Sequence, residues 1–181
     1  MDKIFLFLFL VICFKSQSNE KIEINADQFT YDKENTRIYA TGNVEIIDKE
    51  FKLFANKVFV NNESKVLSAR ENIKIFNADG TILKADKLVA DNTLDNALIE
   101  NNHLYIPTMN KEKKYYMRLA AKKVERRNND WERLEYGTFT ACEVCYNEKK
   151  KKYDPPLIQL KAKKIIHDKK NLGVKYYDAF L

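Results

Sequence analysis

The sequence predicts an all-β domain built from about five two-strand repeats, and three observations predict it. An aliphatic residue, one spacer and an alanine recur at Ile24-Asn25-Ala26, Leu53-Phe54-Ala55, Leu83-Lys84-Ala85, Leu119-Ala120-Ala121 and Leu160-Lys161-Ala162. A hydrophobic residue follows each alanine by three places, and a second apolar marker follows at eighteen or nineteen. Around these markers apolar and polar residues alternate, the period of strands with one apolar face. Fixed strand lengths with variable loops read as one supersecondary unit stacked on itself.

Taken in order, the first repeat places Ile22, Ile24 and Ala26 against Glu23, Asn25 and Asp27, continues to Phe29 and Asp32, and returns through Val44 and Ile46. The second runs Leu53, Ala55, Val58 and Asn61, then Ile73 and Ile75 alternating with Asn72 and Lys74. The third runs Leu83, Ala85, Leu88 and Asp91, with its second marker at Leu104. The fourth has Leu119, Ala121, Val124, Arg127 and Phe139; the fifth has Leu160, Ala162, Ile165, Asp168, a Lys169-Lys170-Asn171-Leu172-Gly173 turn and Phe180. Between each alanine and the hydrophobic residue three places on, the phase slips by one, which reads as a bulge or bend in every repeat and predicts a curled sheet.

The apolar markers are expected inside the curl, where alanine at one point of every repeat either keeps the interior from filling completely or simply packs at the bend. The ladder of apolar positions Ile24, Ala26, Phe29, Val44, Leu53, Ala55, Val58, Ile73, Leu83, Ala85, Leu88, Leu104, Leu119, Ala121, Val124, Phe139, Leu160, Ala162 and Ile165 suits an acyl chain. Carrying roughly ten methylenes unshielded would cost on the order of 8 kcal/mol at about 0.8 kcal/mol each. Equivalent sites let such a chain slide with little net change in free energy.

At 181 residues the chain supports one domain, and 45% hydrophobic content with eleven Phe and ten Tyr is ample for a β core. Residues 1–18 have the layout of a secretory signal: Met1-Asp2-Lys3, an apolar run from Ile4 to Phe14, then Lys15-Ser16-Gln17-Ser18. That run is shorter than the about 20 residues a spanning helix needs, so the mature domain is expected over 19–181, outside the cytoplasm. The charge of +6 gathers in Lys111 to Lys114, Lys122 to Arg127 and Lys149 to Lys152. Each run reads first as a solvated face; their sum suits an anionic partner such as lipid phosphates, and no nucleic-acid motif accompanies them.

No catalytic constellation stands out, and an enzyme is not expected. Beyond the leader the serines are Ser64 and Ser68, without nucleophile-elbow glycines, and Gly42, Gly80, Gly137 and Gly173 stand too far apart for a phosphate loop. Asp27 with Asp86 offers paired carboxylates only if repeats stack in register. No cofactor is called for, and two histidines, His103 and His167, leave a zinc site short of ligands. Cys142 and Cys145 in an exported chain favour a structural disulfide, to each other or to another segment or chain.

The repeat itself, the segment Tyr39-Ala40-Thr41-Gly42-Asn43-Val44, and above all Tyr136-Gly137-Thr138-Phe139-Thr140-Ala141-Cys142 leading to Leu160-Lys161-Ala162-Lys163-Lys164-Ile165-Ile166-His167-Asp168, resemble the OstA family of lipopolysaccharide-assembly domains, which takes in LptA, LptC and the periplasmic part of LptD. The resemblance spans about residues 20 to 181 and is most specific from Tyr136 onward. It implies a β-jellyroll, or slightly twisted β-taco, at the periplasmic side of the outer membrane, receiving lipopolysaccharide from a similar LptA/LptC-type domain stacked edge to edge. It also implies an outer-membrane β-barrel and its lipoprotein plug as partners, with disulfides to the barrel carried onto Cys142 and Cys145. The sequence closes on Asp178-Ala179-Phe180-Leu181 without barrel strands, which is expected either of a fragment or of a stand-alone jellyroll.

Overall fold

The computed structural model describes residues 23–110, 113–142, 146–153 and 156–181; the leader lies outside them. Thirteen strands run β1 (Glu23–Asn25), β2 (Gln28–Asp32), β3 (Arg37–Ile47), β4 (Phe51–Asn61), β5 (Val66–Asn77), β6 (Ile82–Asp91), β7 (Ala97–Asn110), β8 (Lys113–Arg127), β9 (Trp131–Thr140), β10 (Tyr146–Asn147), β11 (Lys152–Tyr153), β12 (Leu160–Asp168) and β13 (Gly173–Phe180). No helix occurs among the described residues. Eleven strands form one antiparallel sheet in the order β1-β3-β4-β5-β6-β7-β8-β9-β12-β13, with β2 beside β3, while β10 and β11 form a separate hairpin. From β3 onward, neighbours in the sheet follow one another along the chain, save that residues 141–159 with the β10–β11 hairpin intervene between β9 and β12, and this makes it a meander, as the two-strand repeat predicts.

β3, β5, β7, β9 and β13 each turn at a left-handed residue, and these bends build the fold. Gly42 and Asn43 together oppose the single residue Asn56, and Glu71 and Asn72 oppose Asp86, so β3 and β5 carry an extra residue that β4 and β6 lack. Asn43, Asn72, Asn101, Tyr136 and Asp178 have φ between 43° and 55°, the left-handed conformation that turns a strand sharply. The first bends are thus true bulges, whereas at Asn101, Tyr136 and Asp178 a single left-handed residue suffices and the register continues unbroken. On the convex side each bend is strapped by the residue following the repeat alanine. Asn43 donates to Asp27 (2.9 Å) and Asn101 to Asp86 (2.7 Å), Lys163 pairs with Asp178 (3.4 Å) and Lys122 lies 5.9 Å over the Tyr136 ring; in the second repeat Asn56 hydrogen-bonds Glu71, joined there by Lys57 one place further on (2.6 Å).

The bends divide the sheet into two arms that close on each other like a folded card. One arm holds the β3–β4 and β5–β6 turns, the other the β4–β5, β6–β7, β8–β9 and β12–β13 turns. The polar residue six places after the alanine caps the second arm. Asp32 accepts the Asn35 N–H (3.1 Å), Asn61 those of Glu63 and Ser64, Asp91 that of Asp95 (2.9 Å) and Asp168 that of Asn171 (3.0 Å). These Asx turns fix the hairpins. Arg127 is the exception: it pairs with Glu125 and lies 5.0 Å over the Trp131 ring.

Candidate functional site

The concave face is organised as rows of apolar residues running across the sheet, because directly paired residues of antiparallel strands share a face. On the second arm one row passes through Phe29, Ala40, Val58, Ala69, Leu88, Ile99, Val124, Leu134, Ile165 and Tyr176, each paired with the next. On the first arm another passes through Ile24, Ile46, Leu53, Ile75, Leu83, Leu104, Leu119, Phe139 and Leu160. The alanines line the crease between them: Ala55 opposite Val44, Ala85 opposite Ile73, Ala121 opposite Asn102 and Ala162 opposite Gly137. Their small side chains let the arms approach at the bend.

Most predicted interior positions lie in one continuous core. Val44, Leu53, Ala55, Val58, Ile73, Leu83, Ala85, Leu88, Ala121, Val124, Ala162 and Ile165 are buried, and Ile24, Ala26, Leu104 and Leu119 are partly buried against them. Phe139 and Leu160 are half-buried on the first-arm row. Two expectations need correction. Phe29 faces the concave side opposite buried Ala40 but is 53% exposed, because β2 is an edge strand with nothing folded over it. Phe180 pairs with Lys161 on the convex face and is 61% exposed; Ala179, opposite Ala162, takes the inward place.

The row thus ends in an exposed aromatic at each edge, Phe29 at one and Tyr176, 41% exposed, at the other. Ala40, Ala69, Ile99 and Leu134, absent from the expected interior, occupy this row and are buried. With Tyr176 they stand fourteen residues after the repeat alanine, thirteen for Leu134, a regularity as strict as the one at eighteen.

Packing is not uniform along the fold. Between β3 and β7 the core is filled, with Leu53, Ile73, Leu88 and Ile99 almost wholly buried. At the turn ends of the arms, from the β3–β4 and β5–β6 turns across to β8, β9 and β12, the arms part around a cavity of about 640 Å³, lined by Phe51, Thr81, Leu104, Ile106 and Leu119 from the first arm and by Leu94, Arg126, Glu132, His167 and Lys169 from the second. The wall changes character within one further row. Tyr31, Ile38, Val60, Leu67, Ala90 and Ala97 are followed by Arg126, Glu132 and His167, and then Val174.

Glu132, only 7% exposed, is the centre of that polar stretch. Arg126 Nε donates to its Oε1 at 2.8 Å, Lys169 Nζ stands 3.6 Å from the same oxygen and His167 Nδ1 3.6 Å from Oε2. Burial works to raise the Glu132 pKa, but the Arg126 and Lys169 charges, the Arg126 hydrogen bond and the His167 charge together hold it below the ordinary value. Lys169 also donates to the Asn129 carbonyl (3.0 Å), and its own N–H donates to the Asp130 carbonyl (2.7 Å), tying the β12–β13 turn to the β8–β9 turn. These residues sit two places from core markers, Val124-x-Arg126, Glu132-x-Leu134 and Ile165-x-His167, so strict alternation points to them.

The other expected features divide. Asp27 and Asp86 sit at separate bends four strand spacings apart, roughly 19 Å along the sheet, too far for a hydrolytic carboxylate pair. Among the described residues no group of three His, Cys, Asp or Glu side chains is placed to hold a metal. Cys142 is half-buried, its N–H donating to the Thr140 hydroxyl (3.1 Å), which donates to the Ile158 carbonyl (2.7 Å); Cys145 lies outside the described residues. The basic run Lys122 to Arg127 is not one solvated strip, since Arg126 points inward while Arg127 pairs with Glu125. The run at Lys111 to Lys114 falls largely outside the described residues.

Among solved structures the chain is similar to LptH of Pseudomonas aeruginosa, described as the LptA homologous periplasmic component of the conserved lipopolysaccharide transport device, at 12% identity over 87% of this chain and 82% of that chain with a TM-score of 0.34. No curated protein matches it. The family model for the LptA/(LptD N-terminal domain) LPS transport protein matches residues 23–171, from the first strand to the last turn of the meander. The chain belongs to this family of lipopolysaccharide transport proteins.

Proposed function

We propose that this chain carries the acyl chains of lipopolysaccharide along its folded sheet in the periplasm, next to the outer membrane, and passes them to or from a similar domain docked edge to edge. The observation that carries this reading is the apolar row that crosses the whole sheet and surfaces at both edges as Phe29 and Tyr176. A row that ended inside the molecule would serve packing alone; one with exposed aromatic ends continues into whatever pairs with β2 or β13. The cavity beside Leu104 and Leu119 is the stretch of the interior that already has room for a ligand.

The filled core between β3 and β7 favours a second reading, a structural β-module without a lipid ligand. Titration with lipopolysaccharide bearing a fluorescent acyl chain separates the two. Saturable binding competed by unlabelled lipopolysaccharide is expected; no binding by the folded chain would leave the structural reading standing. An outer-membrane barrel and its lipoprotein plug belong to the same proposal as downstream partners. A mixed disulfide from Cys142 or Cys145 to a barrel chain, in protein taken from its native envelope, would tie this domain to them.

A further inference from the structure

The mouth of the cavity is acidic on its first-arm wall and carries both signs on its second-arm wall, where Arg126, His167 and Lys169 stand with Glu132 and Asp95. On the second arm Arg126 is committed to Glu132, whereas Lys169 and His167 lie beyond hydrogen-bond distance of that carboxylate and are each 39% exposed. Lys169 directs two contacts to Asn129, at 3.0 and 3.4 Å, which leaves one ammonium proton for a ligand. The first arm faces this wall with Glu50 and Asp79, on the turns before β4 and β6. Asp79 Oδ1 takes the Thr81 N–H (2.8 Å), leaving its other oxygen unengaged by that turn. Asp95, also at the mouth, holds the Thr93 hydroxyl (2.9 Å).

A wholly anionic head placed on Lys169 and His167 faces Glu50 and Asp79 across the mouth, and a wholly cationic one leaves Lys169 unmatched. A head with both charges finds a partner for each. Resting on the lipid-carrying reading above, we propose that this mouth binds the zwitterionic head of an amphiphile, its phosphate-type anion against Lys169 and His167 and its ammonium against Glu50 and Asp79, with the tail on Leu104, Ile106 and Leu119. The apolar floor and the bipolar rim belong to one cavity of about 640 Å³, within the range of small-ligand sites.

Calorimetric titration of the full chain with four dodecyl amphiphiles, each below its micelle concentration, tests this: phosphocholine, phosphate, trimethylammonium and maltoside heads on one tail. The phosphocholine head is expected to bind about fivefold tighter than any other, since it alone gains both charge contacts. Lys169→Ala with His167→Ala should bring phosphocholine down to the trimethylammonium level. Glu50→Gln with Asp79→Asn should bring it to the phosphate level and tighten the phosphate head itself, an effect that loss of fold cannot imitate. Lys122→Ala on the convex face should change nothing. Equal affinities for all four heads, or an equal loss for every head in both double variants, would overturn the head site while leaving lipid carriage intact. Failure of all four to bind would overturn both.

Discussion

Asn102 occupies the inward place after the bend that Val44 and Ile73 fill in earlier repeats, yet it is 3% exposed and its Oδ1 has no hydrogen-bond partner. A desolvated amide oxygen costs about 1–3 kcal/mol, so Asn102→Val should stabilise the fold by about 1–2 kcal/mol in chemical denaturation. Gly42 works in the opposite sense. Its φ is +76°, and a β-carbon there would come within 2.5 Å of Asp27 Oδ2, the acceptor that straps the first bend. Gly42→Ala should therefore cost about 1–3 kcal/mol. Glu132 governs the acid limb of stability. Because its folded pKa lies below the ordinary glutamate value of 4.5, the unfolded chain takes up the proton first. Its contribution is thus present above about pH 4.5 and lost as pH falls through the lowered folded value. Glu132→Gln should flatten the decline of stability below that pH and, by leaving Arg126 half-buried without its partner, cost about 3 kcal/mol at neutral pH.

At the scale of elements, the first strand of each repeat was legible because its alanine, hydrophobic and polar positions keep constant spacing. What that spacing concealed is the division of labour at the bend. The phase slip shows in the first strand, but the left-handed residue sits in the second, at Asn43, Asn72, Asn101, Tyr136 and Asp178. Their varied side chains hide a common backbone role. The eighteen-residue spacing points Phe180 inward, but the left-handed Asp178 shifts the inward position to Ala179, and a one-residue change of phase exchanges faces. The charged cluster is hidden for a different reason: Arg126, Glu132 and His167 hold inward phase, but a hydrophobic pattern does not register charged side chains. The edge strands carry their own prediction. Replacing Phe29 or Tyr176 with Asp puts a carboxylate at the exposed end of the apolar row, and docking to a partner jellyroll, followed by surface plasmon resonance, should weaken about tenfold or more while the monomer still folds.

Across the whole molecule, the fold is a bent meander whose crease is kept narrow by alanine and whose two apolar arms meet in a core that is filled at one end and open toward the other. Leu53 and Leu88 anchor the filled end, and truncating either to Ala should cost about 2–5 kcal/mol. Leu104 and Leu119 border the open end, on the wall of the cavity. The measurement that tests the account most directly is photo-crosslinking of lipopolysaccharide in living envelopes, with a photoreactive residue placed at Leu104, at Leu119 or at the outward-facing Lys84. Adducts at Leu104 and Leu119 and none at Lys84 are the predicted result. Equal labelling at all three positions, or labelling at Lys84 alone, would contradict carriage of the acyl chain inside the folded sheet.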